Sequence, residues 1–259
     1  MDVSLSMLAL FGIWGLAAGS FLNVCIYRLP RRESLFWPAS HCTSCDRPIA
    51  WYENVPIVSW VALGGRCRAC GARVSAVYPL VEAVTAAVFV GGVLVYGLTW
   101  LLAVRLLFAS ALIALFVIDW HHRILPNVIT LPGIAVGFVA SWFLPPGWLS
   151  SLIGIAVGGG ILLALAEGYY RLRGQEGLGM GDVKMLAMIG AFLGWPLTLL
   201  TLVLASVAGS LVGVGLMVSK RGSMQAALPF GTFLALGALV AAVAGDAILA
   251  WYLALFRFR

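Results

Sequence analysis

Residues 106–119 read LLFASALIALFVID, an apolar run that would fill most of a membrane helix and that ends in an aspartate, Asp119. A second aspartate, Asp182, closes the sequence GMGD at positions 179–182, directly before another apolar run. An ionisable side chain within a membrane segment costs about 2.5–3.5 kcal/mol or more, so such residues are rare and usually functional. Two of them at the same membrane level indicate a carboxylate pair.

The composition is that of a membrane protein with several spans. The chain has 259 residues, of which 62% are hydrophobic and 10% charged, and its mean hydropathy is +1.03. Soluble domains carry about 25% charged residues. The first apolar run lacks a basic start and a small-residue cleavage site, so we expect it to be retained as a span.

Apolar runs of about 20 residues predict the membrane spans. They lie near positions 5–27, 79–97, 99–118, 125–144, 149–170, 197–219 and 229–256. A shorter run at 183–194 is either an eighth, thin or tilted span or a re-entrant helix that lines a cavity. The predicted fold is therefore all-α, with about eight transmembrane helices.

Basic residues predict the orientation. Of the 16 Lys and Arg residues, 13 fall on one side of the predicted spans, which the positive-inside rule makes cytoplasmic. They are Arg28, Arg31, Arg32, Arg47, Arg66, Arg68, Arg73, Arg123, Arg171, Arg173, Lys184, Lys220 and Arg221. The net charge of +6 therefore reflects topology and does not predict nucleic-acid binding. Arg257 and Arg259 fall on the other side.

The chain divides into three predicted parts: a first helix at 1–27, a hydrophilic cytoplasmic insert at 28–77, and a membrane domain at 78–259. An insert of about 50 residues is too small for a large core and needs a covalent or metal staple. Its cysteines offer one.

Four cysteines in the insert have the spacing of a zinc site. They are Cys42, Cys45, Cys67 and Cys70, two C-x-x-C pairs separated by 21 residues. Each pair can converge two sulfurs on one metal, and cytoplasmic disulfides are disfavoured. Four thiolates fill the coordination shell, so we expect structural zinc. Cys25, in the first span, is expected to be a packing residue.

Two adjacent carboxyls that share one proton can hydrolyse a peptide bond, because one activates water and the other protonates the leaving nitrogen. Alternatively, each aspartate could cap a helix or pair with Arg123 or Lys184. Gly179 and Gly181 leave the backbone bare for a substrate strand. Helix dipoles favour Asp182 as the base and Asp119 as the acid.

Other polar residues receive simpler interpretations. His121 and His122 are expected to be solvated at the interface, and no His-Glu-x-x-His motif is present. Glu167 is expected to pair with Arg171. Two G-x-x-x-G sequences, at 154–158 and 209–213, could be packing faces. With 30 glycines in the chain, chance matches are common, so they are given little weight.

A series of motifs in one order extends over nearly the whole chain, which resembles the bacterial type IV prepilin peptidases. The motifs read GSFLNVCIYRLP at 19–30, the cysteine insert with NVPIVS at 54–59, YPLVE at 78–82, Asp119 followed by Leu125-Pro126, GMGDVK at 179–184, and PFGTFLA at 229–235. The GMGD sequence is also similar to that of presenilin-type intramembrane proteases.

The resemblance implies a bifunctional enzyme of the inner membrane, active at its cytoplasmic face, for type IV pili, type II secretion or competence. It implies cleavage of the basic leader of prepilins and pseudopilins after a glycine, with Asp119 and Asp182 as the catalytic pair and Lys184 beside them. It also implies methylation of the new N-terminal amine with S-adenosylmethionine, in association with the insert. Gly19, Asn23 and Glu82 are the candidate cofactor residues.

Three positions depart from the family's pattern: Asn127 stands where aspartate is common, Val77 where arginine is common, and Thr232 where a second proline is common. A peptidase that has lost methylation is one alternative. A proton-coupled transporter and a membrane scaffold with a zinc module are others from different classes. The transporter predicts acids near the midplane and leaves the cysteines unexplained.

Overall fold

A computed structural model describes residues 4–175, 179–219 and 228–256, and within these ranges the chain is helical and has no β-strand. Nine α-helices are seen there. They are α1 (Leu5–Arg28), α2 (Val58–Ala62), α3 (Val77–Tyr96), α4 (Trp100–His122), α5 (Asn127–Ala140), α6 (Trp148–Arg173), α7 (Met180–Leu193), α8 (Trp195–Val218) and α9 (Phe230–Phe256). The helical class predicted from the sequence is confirmed.

The chain forms two compact units, residues 1–114 and 115–259, with the boundary inside α4. In the first unit α1 packs closely against α3. A Cβ added to Gly15 would lie 2.5 Å from the Cα of Ala86, and one added to Gly19 would lie 2.6 Å from the Cα of Glu82. Both glycines are therefore needed for the helices to approach this closely.

The start of the insert is tied to the end of α1 by a buried arginine. The guanidinium of Arg28 donates to the carbonyl oxygens of Ser34, at 2.8 Å, and Pro38, at 2.6 Å. A buried cation needs such partners, because its desolvation is otherwise costly. Arg28 thus fixes the path of the chain as it leaves the helix.

In the second unit α7 lies at the centre, packed against α5, α6, α8 and α9. Every residue from Met185 to Leu193 is buried. Two glycines of α6 let α7 approach: a Cβ on Gly154 would lie 2.5 Å from the carbonyl oxygen of Gly190, and one on Gly158 would lie 2.6 Å from that of Leu186. The first of the two G-x-x-x-G sequences is therefore a packing face.

Six helical segments in the described residues are long and apolar enough to cross a membrane: Leu5–Arg31, Val77–Tyr96, Trp100–His122, Trp148–Arg173, Trp195–Val218 and Phe230–Phe256. The other two predicted spans correspond to α5 and α7, which have 14 residues each. At 1.5 Å per residue each is about 21 Å long, against about 30 Å for the hydrocarbon core. The basic residues Lys220, Arg221, Arg257 and Arg259, used for the predicted orientation, lie outside the described residues.

Candidate functional site

Asp119 lies near the end of α4 and is buried, with 5% of its surface exposed. One oxygen of its carboxyl, Oδ2, accepts two hydrogen bonds from Thr232 in the first turn of α9. The backbone N–H of Thr232 donates at 2.7 Å and its hydroxyl at 3.1 Å. The carboxyl of Asp119 is thus held by a residue 113 positions away in the chain.

Asp182 lies in the first turn of α7 and is half-buried. Gly179 is the N-cap of this helix, so Asp182 is not the cap residue itself. Its carboxyl is close enough to that of Asp119 for the two to interact electrostatically. The structure therefore brings the two predicted catalytic aspartates together, within the second unit.

Leu125, in the connection between α4 and α5, lies against two motifs: GMGD at 179–182, which contains Asp182, and PFGTFLA at 229–235, which holds Asp119 through Thr232. A Cβ added to Gly181 would lie 2.9 Å from the Cβ of Leu125, and one added to Gly231 would lie 2.9 Å from its Cδ1 and 3.0 Å from Oδ2 of Asp119. Gly181 and Gly231 therefore give the two motifs room to meet.

Neither aspartate forms an ion pair in the part of the chain that the structure describes. The ammonium of Lys184 donates to the side-chain oxygen of Asn127 at 2.9 Å. The departure at position 127 thus places an amide oxygen where the family commonly has a carboxylate. Pairing with Arg123 or Lys184 does not account for the carboxylate pair.

The remaining polar residues lie as predicted. His121 and His122 are exposed, and Glu167 pairs with Arg171 at 2.7 Å on the surface of α6. An exposed pair of this kind contributes about 0.3–0.5 kcal/mol at most.

The four cysteines of the insert converge in the first unit. Their sulfurs all lie within 4.8 Å of one another, and sulfurs around a tetrahedral zinc are about 3.8 Å apart. The N–H groups of Cys70 and Ala69 lower the pKa of the Cys67 thiol to about 6. The Arg47 N–H lowers the pKa of the Cys45 thiol, but the hydrogen bond of Cys45 with Cys70 and burial outweigh this and raise that pKa to about 11, so the support for a metal site is the convergence of the four sulfurs. The donor set and its geometry fit a zinc site with four cysteine ligands.

Glu53 connects the two cysteine loops. Its carboxylate lies 3.2 Å from Arg47 and 3.6 Å from Arg68, and its side chain is 7% exposed. Burial raises the pKa of Glu53, but the Ala50 N–H and the Arg47 guanidinium outweigh it and lower the pKa. Because Arg47 follows the first cysteine pair and Arg68 lies between the two cysteines of the second, Glu53 ties the two loops together. Nothing in the spacing of the cysteines pointed to this residue.

A cavity of about 410 Å³ lies in the first unit between α1, α3 and the insert, a size typical of small-molecule sites. Asn23 and Glu82 line it, as do Cys42 and Cys67. Gly19 does not line it and serves the close contact of α1 with α3.

Glu82 is buried and holds an unusual turn of the insert at the wall of this cavity. Its Oε2 accepts a hydrogen bond from the N–H of Ile57 at 2.7 Å. Ile57 has φ 60° and ψ −50°, a conformation that is strained for a β-branched residue. Asn23 donates to the carbonyl oxygen of Tyr78 at 3.0 Å. Two candidate cofactor residues thus organise the cavity wall.

Residues 13–96 match the Bacterial Peptidase A24 N-terminal domain, and residues 106–214 match the Type IV leader peptidase family. A protein of Pseudomonas putida named "Prepilin leader peptidase/N-methyltransferase" is 38% identical over 95% of this chain and 93% of its own length. The chain belongs to the type IV leader peptidase family. Both aspartates lie in the second matched region, and the cysteines and the cavity lie in the first.

Other family members of the same name are similar over most of the chain. One from Aeromonas hydrophila is 36% identical over 94% of this chain and 93% of its own length. One from Myxococcus xanthus is 40% identical over 78% of this chain and 61% of its own length. No solved structure matches the chain.

Proposed function

We propose that this protein cleaves the leader peptides of prepilins and pseudopilins with Asp119 and Asp182, and then methylates the new N-terminal amine with S-adenosylmethionine. The observation that carries the proposal is the pairing of a buried and a half-buried aspartate from two distant helices. The printed name of the relatives supports both activities.

The chemistry of cleavage requires one ionised and one protonated carboxyl. The ionised carboxyl takes a proton from water, and the oxygen of that water attacks the scissile carbonyl. The other carboxyl gives its proton to the leaving nitrogen as the bond breaks. Gly179 is exposed and leaves the backbone at the start of the second motif open to a substrate strand, whereas Gly181 packs against Leu125. Lys184 supports this motif through its bond to Asn127.

The proposed location is the inner membrane, with eight crossings and the catalytic pair at the cytoplasmic face. The 13 Lys and Arg residues on one side of the predicted spans support this orientation through the positive-inside rule. A prepilin has an apolar helix after its basic leader, so its cleavage site would reach the enzyme at the membrane surface. We propose that α5 and α7 cross as short spans, with lipid as the surrounding partner and no nucleic acid as a ligand.

We propose that the cavity of the first unit binds S-adenosylmethionine, which supplies a methyl group on a positively charged sulfur. The buried carboxylate of Glu82 suits such a cation, because a charge removed from water needs a counter-charge. Asn23 fixes the backbone of Tyr78 at the cavity wall. Gly19 contributes indirectly, by allowing α1 to approach Glu82.

We propose that Cys42, Cys45, Cys67 and Cys70 hold a structural zinc. Two of these cysteines line the cavity, so the zinc would fix its wall. We propose that methylation uses the insert at 28–77 together with Asn23 of the first helix and Glu82 of α3. Cleavage would use Asp119 and Asp182 of the predicted membrane domain at 78–259.

The test uses the purified full chain in detergent, a synthetic prepilin segment with its leader, and a labelled methyl donor. We expect a cut product that carries label at its new N-terminus, read by mass spectrometry. In Glu82→Gln we expect cleavage to continue and labelling to fall by about tenfold or more, because the cavity loses its counter-charge.

The matched control is Glu167→Gln, which removes an exposed carboxylate from α6 and should change neither activity. Cleavage without label in the wild type would favour a peptidase that does not methylate. An intact substrate after prolonged incubation would contradict the proposed function as a whole.

A further inference from the structure

Thr232 is the residue that holds Asp119, and it does so with two donors on one oxygen. Its N–H and its hydroxyl both point at Oδ2, at 2.7 and 3.1 Å. Thr232 is 2% exposed, so water does not compete for these bonds. Gly231 makes the approach possible, since a Cβ there would lie 3.0 Å from the same oxygen.

Hydrogen bonds donated to a carboxylate stabilise its ionised form over its protonated form, and buried ones do so most strongly. Both donors of Thr232 are fixed: the N–H by the backbone of α9 and the hydroxyl by a buried side chain. The local helix dipole at the end of α4 opposes ionisation but acts only through partial charges. Two direct donors should outweigh it.

We propose that Thr232 is a positioning residue of the peptidase, which holds Asp119 ionised as the base and leaves the shared proton on Asp182. This assignment rests on the proposed peptidase function, and it reverses the one that helix dipoles alone favour. It depends on the threonine at position 232, where a second proline is common in the family's pattern, because a proline would have neither donor.

The charged groups around Asp119 are compatible with this assignment. Asp182 faces it from α7 and Arg123 lies on its own chain segment. Helix α5 has no ionisable residue, and the first ionisable residue of α9 after Thr232 is Asp246, almost four turns away. Lys184 is engaged with Asn127.

The test compares the pH dependence of cleavage for Thr232→Val, Thr232→Ser and Thr232→Pro with the wild type. Loss of the hydroxyl in Thr232→Val should move the acidic limb of the kcat/KM profile up by about one pH unit. Loss of both donors in Thr232→Pro should move it further. Thr232→Ser, which keeps both donors, should restore the wild-type profile.

Thr201→Val is the matched control, because Thr201 is also buried and its hydroxyl donates only within its own helix, to Leu197. Its profile should not move. A Thr232→Val enzyme with a lower rate but an unchanged acidic limb of its kcat/KM profile would overturn the proposal. That result is expected if Thr232 has a purely structural role.

A second readout separates this proposal from the proposed function. The carboxylate band of Asp119, assigned by its loss in Asp119→Asn, can be titrated by infrared difference spectroscopy without substrate. We expect Asp119 to ionise at lower pH in the wild type than in Thr232→Val. If the two titrations coincide, Thr232 does not control the ionisation of Asp119, whether or not the protein cleaves prepilins.

Discussion

At the scale of single residues, the site depends on small side chains that leave room for Leu125 and the Asp119 carboxyl. Gly181 and Gly231 belong to different motifs, yet both face Leu125 at less than 3 Å from an added Cβ. An added methyl group in so tight a contact must displace a neighbour, which costs about 1–3 kcal/mol. The two motifs are therefore coupled through their common contact with Leu125.

Gly231→Ala should impair cleavage by roughly tenfold, because the new methyl group would push the carboxyl of Asp119 away from Thr232. The measurement is the initial rate of prepilin cleavage by the purified variant. Gly160→Ala is the control, since a Cβ at Gly160 meets nothing within 4 Å, and it should cleave as the wild type does. A Gly231→Ala enzyme with unchanged kcat/KM would refute the close packing described for this site.

Residue chemistry predicted some members of the site and not others. Asp119 and Asp182 stand out because carboxylates are expensive in membrane segments. Thr232 gives no such signal, because threonine is common in apolar helices and its partner lies 113 positions earlier. The motif PFGTFLA identified the region through the resemblance, but only the fold shows that it contacts Asp119.

At the scale of elements, the two cysteine loops of the insert share one backbone conformation and one hydrogen bond. In each loop the fourth residue after the first cysteine has positive φ, Asp46 at 55° and Gly71 at 72°. In each, that residue's N–H donates to the carbonyl oxygen of the first cysteine at 2.9 Å. The spacing predicted this local structure, because two intervening residues suffice for a metal-binding turn. It could not predict Glu53, which links the loops through a tertiary contact.

Cys67→Ser should release the zinc and abolish most methylation while cleavage continues. The reason is that Cys67 lines the cavity of the first unit, whereas both aspartates lie in the second. We expect about one zinc per chain in the wild type and less than about a tenth of that in the variant, by elemental analysis. Cys25→Ser, which alters the buried cysteine of α1, should retain the metal. Full zinc content in Cys67→Ser would show that the four sulfurs do not form a metal site.

The packing of α6 on α7 depends on a G-x-x-x-G sequence whose spacing alone does not identify it as a contact face. Gly154 and Gly158 both allow close backbone contact with α7. The similar sequence at 209–213 makes only ordinary contacts, 3.5 Å for Gly209 and 3.4 Å for Gly213. The two sequences have the same spacing, so only the position of the neighbouring helix distinguishes them.

At the scale of the whole molecule, hydropathy predicts where the helices lie, whereas the number that cross the membrane stays a prediction. Each of the eight apolar runs corresponds to a helix, although the ends differ by a few residues. Length is the limiting quantity for α5 and α7, because about 21 Å of helix spans the bilayer only if the membrane thins or neighbouring helices cover its ends. Composition alone does not show which neighbouring helices cover the ends of α5 and α7.

The family matches and the compact units divide the chain in similar places. The matched regions end at 96 and begin again at 106, and the units meet at 114–115. The sequence predicts a boundary at 77–78, where the hydrophilic insert ends, and this division stays a prediction. Hydropathy does not show that α3 packs with α1, because α3 and α4 are both apolar enough to cross a membrane.

Asp119 and Asp182 are proposed to hydrolyse the leader bond together, and cleavage of a prepilin by Asp119→Asn and Asp182→Asn tests this pairing. We expect each variant to lose at least about 10²-fold in rate, since each removes a group that must transfer a proton. Both should still methylate a peptide that has already been cut, which shows that they are folded. If either variant methylates that peptide and also cleaves prepilin at the wild-type rate, the carboxylate pair is not the catalytic centre.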